Sequence, residues 1–224
     1  MVTGGQGGRP GPGSACFALV ADDGTALWFG DVKTLAYHAE GLILLDALES
    51  VPGVIFLHAA ALVRGGQGLL LVGPKGSGKT TITLEAVARG WEYLSDDFCP
   101  VAVDTGHALP FPRGLCLRGP AARFAGSDPG EPHMPGGEPM WFKSFPRSVG
   151  AAFVPEFTVI LDGEAAATRL GEVETGELVE TLYRNTLTRR GTPGLLALFS
   201  RLAGPGRGRR LAWCSPSEAV EALE

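Results

Sequence analysis

The chain has 224 residues, 45% of them hydrophobic, and a formal net charge of −5 at pH 7. That length suits one well-packed domain, alone or with a small appendage, and excludes two large ones. The acidic balance argues against nucleic acid or a membrane surface as a partner, and no apolar run approaches the roughly 20 residues of a membrane-spanning helix. Thirty-three glycines and 17 prolines supply many turns, yet the apolar fraction is too large for wholesale disorder. Four scattered cysteines (Cys16, Cys99, Cys116, Cys214) form no CxxC pair and no metal-ligand spacing. Together with an amino terminus that lacks the apolar stretch of a signal peptide, this points to a reducing, cytoplasmic location.

Residues 1–14, rich in glycine and with almost nothing to bury, read as a flexible tail ahead of a single domain over 15–224. Thr34 to Leu48 reads as a helix, with Leu35, Leu42, Leu45 and Leu48 near 3.6-residue spacing. Two apolar runs, VIFLHAAALVR (Val54–Arg64) and GLLLVG (Gly68–Gly73), flank the pair Gly65-Gly66 and predict a buried β-hairpin. The second run leads through GPKGSGKT into TITLEAVARG, a helix with Ile82, Leu84 and Val87 inward and Gly90 closing it. WEYLSDD (Trp91–Asp97) reads as a strand, with Pro100–Pro110 expected to pair with it through a turn at Asp104–Gly106.

Ala125–Gly150, dense in proline and glycine around Trp141 and Phe142, reads as a long mobile loop, either a lid or an acceptor-recognition loop or a tolerated insertion. Phe157–Leu161 resumes a strand, Gly176–Asn185 and Leu195–Leu202 look helical, and Arg210–Cys214 is a short strand. Ser215-Pro216-Ser217-Glu218 is a capping box with proline at the first helical position, opening the last helix. The expected fold class is α/β, a mixed sheet with antiparallel hairpins and flanking helices.

Gly73-Pro74-Lys75-Gly76-Ser77-Gly78-Lys79-Thr80 fits GxxxxGK[ST] in full, between a predicted strand and a predicted helix. Its glycines let backbone N–H groups turn inward around a β-phosphate, and the helix amino end at Thr80 and Thr81 adds positive dipole. Lys79 would reach the β- and γ-phosphates and the Thr80 hydroxyl would ligate Mg²⁺. Lys75 sits at a variable loop position and reads more simply as a solvated charge. Binding of a nucleoside triphosphate follows from this motif, with ATP and Mg²⁺ as the expected pair and the base, ATP or GTP, left open by the sequence.

Asp96 and Asp97 end the next strand, 17 and 18 positions beyond Lys79. Neighbouring strand residues point to opposite faces, but at a strand end the backbone can turn both carboxylates toward the phosphates. Phosphoryl transfer uses one carboxylate on Mg²⁺ and another for the acceptor's proton. Spacing does not say which aspartate does which. His58, within LHAAAL, is by default a satisfied core histidine, but its strand is expected to pair with the one feeding the loop. There it would orient a carboxylate or assist with charge.

In order and spacing LHAAAL, GPKGSGKT and RGWEYLSDD resemble HPr kinase/phosphorylase and its stand-alone relatives, over about residues 54–120. Some of those relatives phosphorylate hydroxyls on ribosomally made peptides or on free serine. ATP-dependent phosphoenolpyruvate carboxykinase is similar more distantly. The resemblance implies a P-loop kinase fold with His58, Asp96 and Asp97 at the γ-phosphate and Lys79 and Thr80 in the cradle. It also implies homo-oligomers, the relatives being often hexameric. HPr kinase carries a glutamate just before an IRG segment, where this chain has Leu115-Cys116-Leu117-Arg118-Gly119 and no acid.

Arg113 and Arg118, following the strand that should flank the site, are the arginines expected on the substrate side. The expected activity is Mg²⁺-dependent transfer of the γ-phosphoryl of ATP to a hydroxyl of a peptide serine or threonine, or of a small molecule. A nucleotide-switched binding module acting on a leader peptide or partner enzyme is the alternative, with a plain NTPase third.

Overall fold

The computed structural model describes residues 17–20, 26–30, 32–118, 121, 140–143, 151–187 and 193–224. The expected tail at 1–14, and all of the expected loop at 125–150 except 140–143, lie outside them.

The centre of the fold is a six-stranded sheet. Its strands are β4 (Ala59–Arg64), β5 (Gln67–Val72), β6 (Glu92–Ser95), β10 (Phe157–Glu164), β11 (Arg169–Glu172) and β12 (Gly208–Trp213), in the order β11-β12-β10-β5-β4-β6. β5, β10 and β12 are mutually parallel, whereas β4 runs antiparallel to both of its neighbours, β5 and β6. β6 is therefore parallel to β5, one strand removed, and α2 (Lys79–Ala88) makes the crossover between them. The carboxyl ends of β5, β6, β10 and β12 consequently share one edge of the sheet, the edge where ligands collect in open α/β sheets.

The sheet is covered on both faces, which is why its inner strands read as unbroken apolar runs rather than alternating ones. Ala59, Ala61, Leu70, Val72 and Ile160 face α3 (Thr175–Arg184) and α4 (Leu195–Leu202), packing on Leu178, Leu182 and Phe199. Ala60, Leu62, Leu69, Leu71, Val159 and Leu161 face α2 and α5 (Pro216–Leu223), packing on Ile82 and Val220. Arg89 ties the ends of those helices together through Glu85, Ser217 and Glu221. The mixed α/β sheet with flanking helices is as the sequence implies.

The hairpin around Gly65-Gly66 is present, with both glycines at positive φ, but its first arm is shorter than expected. The run Val54–Arg64 breaks at His58. Its first part, β3 (Val54–Leu57), leaves the main sheet and pairs with β7 (Cys99–Ala102). This also corrects the pairing expected for Pro100–Pro110. The turn at Asp104–Gly106 forms, but it folds the segment back on itself, Val101 opposite Ala108, and only Phe111 N–H reaches β6, at Leu94 O. The helix expected over Thr34–Leu48 is α1 (Val32–Glu49), preceded by the antiparallel pair β1 (Phe17–Val20) and β2 (Ala26–Phe29). Within the expected loop, β9 (Met140–Lys143) is a strand paired with β8 (Leu115–Arg118), so at least this part is ordered structure. The capping box holds: Glu218 N–H donates to Ser215 Oγ at 3.2 Å. Among the described residues no helix is long and apolar enough to cross a membrane.

Candidate active site

Four parallel strand ends, and the break before the antiparallel β4, bring the chemistry-bearing residues of the sequence to one place. The loop Gly73–Gly78 leaves β5 and enters α2. Gly73, Gly76 and Gly78 all adopt positive φ, with Gly78 at 103°. An added Cβ at Gly78 would lie 2.5 Å from Trp213 Cζ2, and at Gly73 2.8 Å from Leu161 O and from Ser77 Oγ. Trp213, at the end of β12, also donates its indole N–H to Ser77 O at 3.0 Å, so the loop is held from beneath. Gly78→Ala therefore meets both a left-handed backbone and a buried ring. We expect Tm to fall by roughly 5–10 °C and nucleotide affinity to fall with it, measured by thermal unfolding and titration.

Lys79 is only 5% exposed and donates to Gly73 O at 2.8 Å and Pro74 O at 3.2 Å. Its ammonium is thus held across the mouth of its own loop. Burial lowers its pKa against the raising effect of Asp97 and Asp96.

The carboxylates part company at the end of β6. Asp96 is buried, and its Oδ2 accepts the Thr80 hydroxyl at 2.7 Å. Asp97 has φ 63°, the one positive φ at a non-glycine among the described residues, in a tight turn closed by Phe98 N–H on Asp96 O at 2.8 Å. That turn swings Asp97 toward His58, whose Nε2 lies 3.3 Å from Asp97 Oδ1, both side chains being about one-third exposed. His58 owes its place to the break between β3 and β4, where its own N–H donates to Asn185 O at 2.7 Å.

These groups border one cavity of about 470 Å³. On the β4–β6 flank it is lined by His58, Asp97, Cys116 and Arg118, beneath it by Lys75, Gly76 and the start of α2 from Gly78 to Thr81, and on the β10–β12 flank by Glu164 and Trp213. Gly73, Pro74 and Ser77 complete the loop without lining the cavity.

Environment drives the two acids apart. Burial, then the neighbouring charge of Asp97, pushes Asp96 up to about 7 against the Thr80 hydrogen bond and Lys79. Burial also acts to raise Asp97, but the His58 hydrogen bond and the charges of His58, Lys79 and Arg118 outweigh it and leave Asp97 below the ordinary carboxylate range. A group whose pKa is raised by folding stabilises the fold below its unfolded pKa, and that stability is lost as pH rises through the folded value. In metal- and nucleotide-free protein, Asp96→Asn should therefore gain several degrees of Tm over wild type at pH 8 and much less at pH 5. Equal gains at both pH values would contradict this environment for Asp96.

The residues fit a cation-bound triphosphate on structural grounds. Asp96 Oδ1 and Ser77 Oγ are buried and have no hydrogen-bond partner in the described structure. Among the described residues no group of three or more His, Cys, Asp or Glu forms a self-sufficient metal cluster. Mg²⁺ does not need one, since it commonly takes one or two carboxylates with waters and substrate phosphates. Thr80 and Asp96 would hold it.

The two arginines separate. Arg118 lines the cavity, with Nε 3.4 Å from Cys116 Sγ. Arg113 is turned elsewhere: its guanidinium pairs with Glu40 at 2.5 Å and covers the Phe98 ring at 5.0 Å, and it does not line the cavity. Sequence reasoning missed three residues that line the cavity, Glu164, Trp213 and Cys116. The glycine inside the strand pattern LDGE was the available hint for Glu164, since such glycines mark bulges.

No protein family and no curated protein matches this chain. The fold and the site define an α/β protein with a glycine-rich loop between β5 and α2, a Thr–Asp pair and an Asp–His pair at one cavity.

Proposed function

We propose that the chain is an Mg²⁺-dependent, ATP-using phosphotransferase that moves the γ-phosphoryl to an acceptor hydroxyl, on a peptide serine or threonine or on a small molecule. One observation carries the reading. Beyond the loop lysine and the Thr80–Asp96 pair, which suffice for nucleotide binding, a second carboxylate, Asp97, faces the same cavity and is fastened to a histidine. That second acid stands where the proton of an acceptor hydroxyl would go.

The division of labour left open by spacing follows from the two environments. Asp96, buried against Thr80, holds the cation side. Asp97, on the cavity wall, meets the acceptor. Bound Mg²⁺ supplies charge neutralisation on the phosphate oxygens. Lys79 and the loop N–H groups grip the β- and γ-phosphates, and Arg118 adds positive charge on the acceptor flank. The acceptor oxygen bonds to Pγ as the bond from Pγ to the bridging oxygen breaks, ADP leaves, and the hydroxyl proton goes to Asp97. A carboxylate with a depressed pKa is a weak base, but phosphoryl transfer passes through a loose transition state that asks mainly for positioning. His58 fixes the Asp97 rotamer for that task.

A second reading, a nucleotide-switched binding module with slow turnover, draws on β8. Its cavity-lining side chains are Cys116 and Arg118, with no carboxylate where the HPr kinase resemblance has one. The readings part when the full chain is incubated with Mg·ATP and a pool of peptides, free serine and cell extract. Mass spectrometry that finds a phosphorylated species made by wild type and lost in Asp97→Asn supports the kinase. ADP with only free phosphate, or binding without turnover, supports the switch.

A further inference from the structure

Glu164 lies where an unbroken strand would not put it. Along β10, Val159 and Leu161 face α2 and α5 while Ile160 faces α3 and α4. Strict alternation would send Asp162 and Glu164 to the α3–α4 face. Asp162 does go there, pairing with Arg210, which also binds Glu177 of α3. Between Leu161 and Gly163 the register with β12 then slips by one residue, and Gly163 takes φ 105°. This bulge reverses the parity, so that Glu164 stands opposite Trp213 and lines the cavity on the α2 face. Bulges beside active sites commonly re-aim one side chain in this way.

A carboxylate on the wall of a phosphate site repels phosphate unless a cation, the acceptor or another part of the ligand meets it, and in the proposed function the cation and acceptor sides are already served by Asp96 and Asp97. The sheet order says which part. On that reading the Thr80–Asp96 pair, with Asp97 beside it on the acceptor side, marks the γ-phosphate end on the β4–β6 flank, so the nucleoside leaves over β10 and β12, on the opposite side of the loop. The side chain of Glu164 is exposed and has no hydrogen bond or ion pair to any described residue.

Resting on the reading of the loop as a nucleoside triphosphate site, we propose that Glu164 is a specificity-determining residue that accepts hydrogen bonds from the ribose hydroxyls. The site then selects ribonucleotides by the sugar as well as by the phosphates. Carboxylates do this work in other nucleotide folds because a vicinal diol offers two donors to two oxygens.

The test is equilibrium titration of the full chain with Mg²⁺ and, in turn, ATP, 2′-deoxy-ATP, 3′-deoxy-ATP and inorganic tripolyphosphate. Wild type should bind ATP about tenfold tighter than at least one deoxy analogue, the loss of one charge-assisted hydrogen bond. Glu164→Ala should weaken ATP by about the same factor and leave that analogue and tripolyphosphate within about twofold. Glu164→Gln, which keeps one acceptor, should retain part of the discrimination. Equal affinity of wild type for ATP and both analogues overturns the proposal. So does a Glu164→Ala variant that loses tripolyphosphate as strongly as ATP, because the group would then act on phosphate or metal. Failure of the underlying reading looks different: wild type would bind neither ATP nor tripolyphosphate, or would bind both regardless of Lys79.

Discussion

Asp97→Asn should lower turnover by about 10²–10⁴-fold while ATP affinity stays within a few-fold of wild type. The substitution is conservative in every respect but charge. Asparagine tolerates the left-handed backbone at φ 63° and its amide oxygen still accepts from His58. On the proposed reading the nucleotide is held by other groups, Lys79, Thr80 and Asp96, which are untouched. Steady-state ADP release in the presence of acceptor, with affinity measured separately by titration, checks the split. A variant that loses affinity and turnover together would move Asp97 from the acceptor to the nucleotide. His58→Ala should show a milder version of the same pattern, because the histidine orients the carboxylate without meeting the acceptor.

Lys79→Met should weaken ATP and tripolyphosphate by about 100-fold or more, since each charge-assisted contact to phosphate is worth roughly 1.5–3 kcal/mol and the proposed function gives the ammonium two phosphates. The nucleotide-free protein should keep its Tm or gain slightly. Methionine fills similar volume, and the substitution removes a buried ammonium whose desolvation already lowers its pKa. Thermal unfolding with and without Mg·ATP measures both effects in one experiment. Wild type should be stabilised by ligand and the variant should not. A variant that simply unfolds would contradict a loop built to receive an anion.

The elements nearest this site were the most legible in the sequence, for local reasons. GPKGSGKT carries its own backbone demands, and the structure meets them with positive φ at Gly73, Gly76 and Gly78. The helix after it, the Gly65-Gly66 turn and the Ser215 cap are likewise short-range chemistry. What was not legible is long-range. VIFLHAAALVR is apolar on both sides of His58 because both sheet faces are covered, and a lone histidine in such a run does not announce a break there or the transfer of Val54–Leu57 to β7. That break decides where His58 points. Pairing of Met140–Lys143 with β8 was hidden in a segment whose composition reads as loop. Arg113 follows the right strand in the sequence, but proximity in sequence does not say which way a side chain turns, and Glu40 and Phe98 claim it. Glu164 entered the cavity through a one-residue register slip, which only pairing with β12 reveals.

The most direct measurement is the fate of the γ-phosphoryl. With γ-labelled ATP, Mg²⁺ and the acceptor found by mass spectrometry, label on the acceptor should equal ADP formed, and both should disappear together in Asp97→Asn. Label recovered as free phosphate in step with ADP, unchanged by acceptor and by Asp97→Asn, would contradict the assignment of this cavity to phosphoryl transfer.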